Sequence, residues 1–173
     1  MDIQTLGALA EIFGFTAVIA AFIFGFIQVR DFRRQRRDLA AIELVRSFQD
    51  KEFTQAFRLI HSLPEDISAT EFAAKGTEYI DAAYSLSMKY ESMGVLVFRN
   101  VVPISAVEDL IGGVGITLWK RLSPWVYSIR IEQSQEHILE WFEWLVDRME
   151  DRGQGLKEPA HKLYKTWETK DKD

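Results

Sequence analysis

Hydrophobic and polar residues follow two patterns along the chain, a continuous apolar run near its start and a helical period beyond it. The eighteen residues from Ile12 to Val29 read IFGFTAVIAAFIFGFIQV and carry no formal charge. As a helix this run would extend about 27 Å, which matches the hydrocarbon core of a bilayer. We therefore predict a transmembrane anchor within residues 1–29.

A buried helix of a soluble protein and a cleaved signal peptide are the alternatives to a membrane span. A helix that is apolar on all faces needs partners on every side, and the 136 residues beyond position 37 are too few to enclose one. A signal peptide carries its basic residues before the apolar run, whereas here they follow it. The pattern thus favours a span.

Basic residues are concentrated directly after the apolar run. Residues 1–29 contain no Lys or Arg, whereas residues 30–38 contain five Arg. Basic residues beside a short span remain in the cytoplasm, so we predict an outward N-terminus and a cytoplasmic C-terminal part. Four of the Arg recur at helical spacing and form one stripe that we expect to contact lipid head groups: Arg30, Arg33, Arg34 and Arg37. Their place beside the span favours lipid over nucleic acid.

Small residues recur every three or four positions along the predicted span and the residues before it. They share one side of a helix and form what we call the seam: Gly7, Ala10, Gly14, Ala17, Ala21 and Gly25. A seam of this kind lets two helix backbones approach closely, which drives helix association in lipid. Gly and Ala are also common in single spans that do not associate. We favour association, either as a homo-oligomer or with the transmembrane helix of a partner.

Glu11 is the only ionisable residue near the span. In a homo-oligomer its carboxylates would form a ring able to attract cations, as in an ion channel. If Val29 marks the inner boundary, however, Glu11 lies about 27 Å away at the outer boundary, where a carboxylate reaches water. A solvated acid is thus the simpler interpretation, and the channel is the alternative.

The chain beyond Arg37 keeps a helical period, and no segment has the alternation of a strand. The sequence predicts an all-α fold in which the transmembrane helix continues through a basic juxtamembrane segment, residues 30–38. A cytosolic bundle of five or six helices follows in residues 39–155, and a C-terminal helix with a charged tail in residues 156–173.

Helix start signals divide the predicted bundle. Asp50 is expected to cap a helix that stops at Pro64, and Ser68 opens a capping box with Glu71. A long helix is predicted from about Thr77 to Phe98. A second capping box is expected to begin at Ser105, a short helix to restart at Ser123-Pro124, and an apolar stripe to run from His137 to Met149.

Composition removes several kinds of chemistry. The chain has no Cys, so it has neither a disulfide framework nor a cysteine nucleophile. Its three His are not spaced as a helical zinc pair, and Glu158–His161 is only half of a di-iron motif. The glycines at 112, 113 and 115 lack the Lys and Ser or Thr of a phosphate loop. We predict no catalytic residue, no cofactor and no metal, and hence a protein that is not an enzyme.

Three charged residues lie among strongly apolar neighbours: Glu91, Arg130 and Glu143. If they meet in the core they must pair, because an unpaired buried charge costs several kcal/mol. A polar knot that fixes helix register is the favoured interpretation. The alternative is a small-molecule pocket lined by Trp119, Trp125 and Trp141, which an enzyme could use.

Several short motifs resemble a known family. Gly7–Ile12, Ala17–Ile19 and the basic exit Gln28–Arg30 resemble the anchor of many uncharacterised bacterial single-span proteins. Tyr90–Gly94 and Phe142–Leu145, with Trp119, Trp125 and Arg130, are similar to the helical domain of the family called domain of unknown function 4760. The resemblance implies a bacterial inner membrane location and brings no activity or cofactor.

These observations together predict a membrane-anchored helical interaction or scaffold module. The span would position the protein and associate through the seam, while the cytosolic bundle would bind a protein partner. An ion channel that uses Glu11, and an enzyme built around Glu91, Arg130 and Glu143, are the competing hypotheses.

Overall fold

The computed structural model describes residues 3–48, 50–153 and 158–168. Within these ranges every regular element is a helix and no strand occurs, which confirms the predicted all-α class. In the first helix, side chains are described for residues 14–32 and for only some positions beyond. Several predicted site side chains lie outside those described: Gly7, Ala10, Glu11, Arg33, Arg34 and Arg37. The charged end at 169–173 also lies outside the described ranges.

The chain forms two compact units, Met1–Glu43 and Leu44–Asp173. Helix α1 runs from Ile3 to Phe48 and supplies all of the regular structure described in the first unit. Its last residues belong to the second unit, where Phe48 contacts the rings of Phe53 and Tyr90 at centroid distances of 4.8 and 5.8 Å.

The second unit is a helical bundle. Its elements, in chain order, are α2 (Lys51–His61), α3 (Ala69–Ala73), α4 (Thr77–Phe98), α5 (Ile104–Val107), a π-helical turn (Glu108–Gly112), α6 (Gly113–Gln133), α7 (Glu140–Asp151) and α8 (Ala160–Leu163). The central helix is α4, which packs against α2 and α7. Its residues Ala83, Leu86 and Tyr90 are fully buried.

Local start signals predicted several elements correctly. The Asp50 side chain accepts a hydrogen bond of 2.5 Å from the Phe53 N–H and caps α2. Ser68 and Glu71 form a reciprocal capping box at the start of α3. The bounds of α4 are those predicted, and its end at Phe98 is followed by Asn100 in the left-handed region at φ 55°.

The capping box predicted at Ser105 is wrong. Pro103 occupies the N-cap of α5, so Ser105 is the second residue inside the helix and makes no cap. Glu108, the expected partner of Ser105 in that box, is 3% exposed. Its carboxylate accepts a hydrogen bond of 2.6 Å from Arg152 Nε, at the end of α7. A buried carboxylate gains more from a cation than from the N–H of a solvated helix start.

The helix restart predicted at Ser123-Pro124 is also wrong, because Pro124 lies inside the continuous helix α6. Proline inside a helix costs about 3 kcal/mol. Burial of the adjacent Leu122, Trp125 and Val126 side chains offsets this cost, since each fully buried large apolar side chain contributes about 1.5–3 kcal/mol.

The helix predicted from His137 begins three residues later, at Glu140. The link between α6 and α7 contains two non-glycine residues in the left-handed region, Ser134 at φ 52° and Leu139 at φ 57°. Leu139 is 5% exposed, so its apolar side chain is held in the core by this turn. The expected buried stripe then follows within α7: Phe142, Leu145, Val146 and Met149.

Candidate functional site

The apolar part of α1 is the first candidate site. The 19 residues from Gly14 to Phe32 have a mean hydropathy of 1.6, and none of them is buried by the rest of the chain. At about 1.5 Å per residue, this stretch is long enough to cross a bilayer. By length and composition it is apolar enough to cross a membrane, and a signal sequence near the N-terminus has the same properties.

Large apolar side chains project from this helix without protein cover. Phe15, Phe22 and Phe26 are 70%, 76% and 73% exposed, and their neighbours along the helix are similarly open. A soluble protein rarely exposes a contiguous apolar surface of this extent. The exposed surface of this helix is therefore unusual for a protein surrounded by water.

The described part of the seam lies on this open surface. Gly14, Ala17, Ala21 and Gly25 are all exposed, and their spacing places them on one side of α1. A Cβ atom added at Gly14 or at Gly25 would meet nothing within 4 Å. Neither glycine is therefore needed for packing inside this chain.

Arg30 lies at the end of the apolar stretch. Its Nε is 3.8 Å from Asp31, and both side chains are more than half exposed. An exposed pair at this distance contributes at most about 1 kcal/mol, so Arg30 remains available to other anionic groups.

The second candidate site is a polar cluster where α4, α6 and α7 meet. The structure brings Arg130 and Glu143 into direct contact, with 2.6 Å between Nη1 and Oε2. Arg130 Nε also donates to the carbonyl of Ile138, and the Tyr127 hydroxyl donates to Glu143 at 2.7 Å. Arg130 thus links the turn that precedes α7 to Glu143 within α7.

Glu91 bonds to a backbone N–H in this region and not to Arg130. Its Oε2 accepts a hydrogen bond of 2.8 Å from the N–H of Phe142, so α4 caps the first turn of α7. Burial raises the pKa of Glu91, although the N–H groups of Phe142 and Trp141 oppose that shift. The first N–H groups of a helix have no partners within the helix, so they can donate to a carboxylate. This explains why the half-buried Glu91 is tolerated there.

The electrostatics of the cluster also affect Tyr127. Burial, followed by the hydrogen bond to Glu143, raises the pKa of Tyr127 to about 12. The phenol therefore stays protonated at neutral pH and acts as a donor to the carboxylate. Arg130, Glu143 and Tyr127 accordingly hold one another in fixed positions, which is what a register-fixing cluster requires.

The surface beside this cluster is an open depression of about 720 Å³. It is lined by the α6–α7 turn: Arg130, Ile131, Ser134, Gln135, Glu136 and His137. Glu91 and Glu143 are not among the lining residues. The three predicted charges therefore do not converge on this depression as a catalytic set would.

The three Trp proposed for a small-molecule pocket belong to different neighbourhoods. Trp119 contacts Phe142, and Trp125 contacts Phe72 and Tyr84. Trp119 and Trp125 are 7% and 4% exposed and are part of the core. Trp141 instead contacts Phe98 and Trp144. Among the residues that the structure describes, no group of three or more His, Cys, Asp or Glu could hold a metal ion.

Two charged residues whose burial the sequence did not predict are Arg121 and Glu108, which are 8% and 3% exposed. Arg121 donates to the carbonyl of Leu63 at 2.8 Å and to that of Thr117 at 3.0 Å, and its Nη1 is 3.3 Å from Glu65. Glu108 pairs with Arg152, as described above. The contacts of Arg121 with Leu63 and Glu65, and that of Glu108 with Arg152, join residues more than forty positions apart, so no local spacing could indicate them.

Comparison with known proteins gives one result. The family described as a domain of unknown function (DUF4760) matches residues 12–149, which is more than half of the chain. No curated protein and no solved structure matches. The match extends from the apolar part of α1 to the end of the stripe in α7, and the chain thus belongs to the DUF4760 family.

Proposed function

We propose that this protein is a membrane-anchored, non-catalytic interaction module whose transmembrane helix associates through the seam. The observation that carries the proposal is the exposed apolar surface of α1 between Gly14 and Phe32, of which no described residue is buried. Lipid would cover the large apolar side chains, and a second helix would cover the small residues. Self-association is the simplest way to supply that helix.

The proposed location is the bacterial inner membrane, with the N-terminus outside and the helical bundle in the cytoplasm. The five Arg within residues 30–38 support this orientation, because basic residues next to a span are retained on the cytoplasmic side. In this arrangement Arg30, Arg33, Arg34 and Arg37 contact anionic head groups, each contributing about 1 kcal/mol.

A non-catalytic role is supported by the state of the polar cluster. Arg130 and Glu143 form an ion pair with each other, and Glu91 accepts a hydrogen bond from the N–H of Phe142. The alternative of a channel depends on Glu11, whose side chain lies outside those described, so that hypothesis remains a prediction of the sequence alone.

Association through the seam is tested with substitutions that fill it. We expect Gly14→Leu and Ala21→Leu to weaken self-association of the full-length protein in detergent micelles or liposomes by about tenfold, because a bulky side chain keeps the backbones apart. Energy transfer between donor- and acceptor-labelled copies measures the association.

Ala20→Leu is the matched control for Ala21→Leu, because it adds the same atoms one residue away and off the seam. It should leave the energy transfer close to that of the unmodified protein. Equal energy transfer in the seam variants and the control, or none in the unmodified protein, would contradict the proposal.

A further inference from the structure

An aromatic cluster with an unusual degree of exposure lies where the end of α4 crosses α7. Phe98 contacts Trp141 and Trp144 at centroid distances of 4.8 and 5.9 Å, and the two Trp rings are 5.8 Å apart. Phe98 is 49% exposed, and both Trp are half-buried. We call these three residues the aromatic patch.

Two further exposed apolar residues lie close to Phe98 in the sequence. Leu96 is 37% exposed and Val101 is 42% exposed, both within three residues of Phe98. Clustered aromatic side chains that remain open to water are typical of the centre of a protein interface. The aromatic patch belongs to neither the seam nor the polar cluster.

The charges beside the patch have opposite signs. The guanidinium of Arg99 lies 5.9 Å from the centre of the Phe98 ring, and Asp147 follows Trp144 by one helical turn. Both residues are exposed. Among the described residues, neither forms an ion pair. When two copies of such a surface are related by a twofold axis, the cation of each copy can pair with the anion of the other.

We propose that the aromatic patch binds the same patch of a second copy of this chain, with Arg99 of each copy facing Asp147 of the other. The arrangement is a twofold interface in which the aromatic rings form the centre and two ion pairs form the rim. It rests on the proposed function in one respect, since association of the spans raises the local concentration of the bundles.

Lipid is a poorer occupant of this patch than a second copy. Helix α7 carries five acidic residues and one Arg beside the two Trp: Glu140, Glu143, Asp147, Glu150, Asp151 and Arg148. An anionic leaflet would repel this acidic helix, whereas Arg99 of a second copy would be attracted to it.

The interface is tested by crosslinking single cysteines, because the natural chain contains none. Val101→Cys places a thiol on an exposed position three residues after Phe98, and Lys120→Cys places one on an exposed position of α6 as a control. In full-length protein in liposomes of neutral phosphatidylcholine, a short bismaleimide should crosslink Val101→Cys at least fivefold more efficiently than Lys120→Cys. Equal yields would overturn the proposal.

Charge exchange tests which residues form the rim. Arg99→Asp or Asp147→Arg, each in the Val101→Cys background, should lower the crosslinking yield severalfold. The combination of both should restore it, because the pair is re-formed with its signs exchanged. Circular dichroism should show an unchanged helix content in all three. A yield that does not fall in the single variants, or does not recover in the double variant, would overturn the proposal.

The two proposals fail in distinguishable ways. If crosslinking at Val101→Cys persists when Gly14→Leu and Ala21→Leu abolish association of the spans, the interface holds without the seam. If the spans associate but Val101→Cys does not crosslink, the seam stands and the aromatic patch proposal is wrong. A thiol at position 101 that liposomes shield from maleimide without crosslinking would assign the patch to lipid and also overturn it.

Discussion

Gly94 and Gly115 occupy positions in the bundle where a side chain would not fit. A Cβ atom at Gly94 would meet the carbonyl oxygen of Trp141 and lie 2.8 Å from its carbonyl carbon. At Gly115 it would lie 2.8 Å from Cε1 of Tyr90, a fully buried ring that stacks on Phe142. The absence of a side chain therefore sets how closely α4 approaches α7 and α6.

We expect Gly94→Ala to lower the stability of the bundle by about 1–3 kcal/mol, because the backbone of α7 must move to accommodate the methyl group. Thermal unfolding of the full-length protein in detergent, followed by circular dichroism, measures this loss as a lower Tm.

Gly113→Ala is the matched control for this substitution. Gly113 is the first residue of α6, and a Cβ atom there would meet nothing within 4 Å. It should be neutral or stabilise the protein by up to about 1 kcal/mol, since Ala favours helix over Gly. A Gly94→Ala variant as stable as Gly113→Ala would show that the two helices do not approach so closely.

The residues also differ in how far the sequence could reveal them. Asp50, Ser68 and Glu71 act on residues three positions away, so their spacing predicted their contacts. Glu108 and Arg121 reach partners 44 and 58 residues distant, which a local pattern cannot indicate. The sequence could state that Glu91, Arg130 and Glu143 need partners, but not that Glu91 would bond to a backbone N–H.

At the scale of elements, the π-helical turn explains the difference between the predicted and observed faces of the α5–α6 region. The period of an ordinary α-helix predicts one inward face for this region, made of Val107, Leu110, Ile111, Val114 and Leu118. In the structure Leu110 is 46% exposed and Val114 is half-buried. The extra residue of a π turn rotates the helix register. A period taken from ordinary helices cannot anticipate that rotation.

The junction of α4 and α7 has a pH dependence that follows from Glu91. In the unfolded chain Glu91 has its ordinary pKa, and in the folded chain burial raises the pKa. Between these two pKa values the folded state retains a proton that the unfolded state has released. The contribution of this group to stability is therefore greatest at low pH and is lost as pH rises through the raised pKa.

We expect Glu91→Gln to raise the stability of the protein, relative to the unmodified chain, more at neutral pH than at acidic pH. The amide oxygen still accepts the N–H of Phe142, but the cost of burying a charge disappears. The Tm of Glu91→Gln minus that of the unmodified protein should thus increase between about pH 4 and about pH 7.

Glu91→Ala serves as the comparison for this prediction, because it removes the acceptor itself. It should lower the Tm at both pH values. If the Tm difference between Glu91→Gln and the unmodified protein is the same at both pH values, Glu91 is excluded as the source of the pH dependence.

At the scale of the whole molecule, the chain has an N-terminal helix whose described apolar side chains are exposed, and a helical bundle with its own buried core. The apolar run and the all-α class were predictable, because both depend on patterns continuous in sequence. The aromatic patch was not, because Phe98 and Trp144 meet only when α4 and α7 cross. The apolar helix can thus be predicted from the sequence, whereas the residues that meet on the surface of the bundle cannot.

The central claim is that α1 crosses a membrane with the bundle on the cytoplasmic side, and single cysteines test it most directly. Thr5→Cys and Asp171→Cys place one thiol before the span and one near the C-terminus. In intact bacterial cells producing the protein, we expect a membrane-impermeant maleimide to label Thr5→Cys, and to label Asp171→Cys only after lysis. Labelling of Asp171→Cys before lysis, or no labelling of Thr5→Cys in intact cells, would contradict the account.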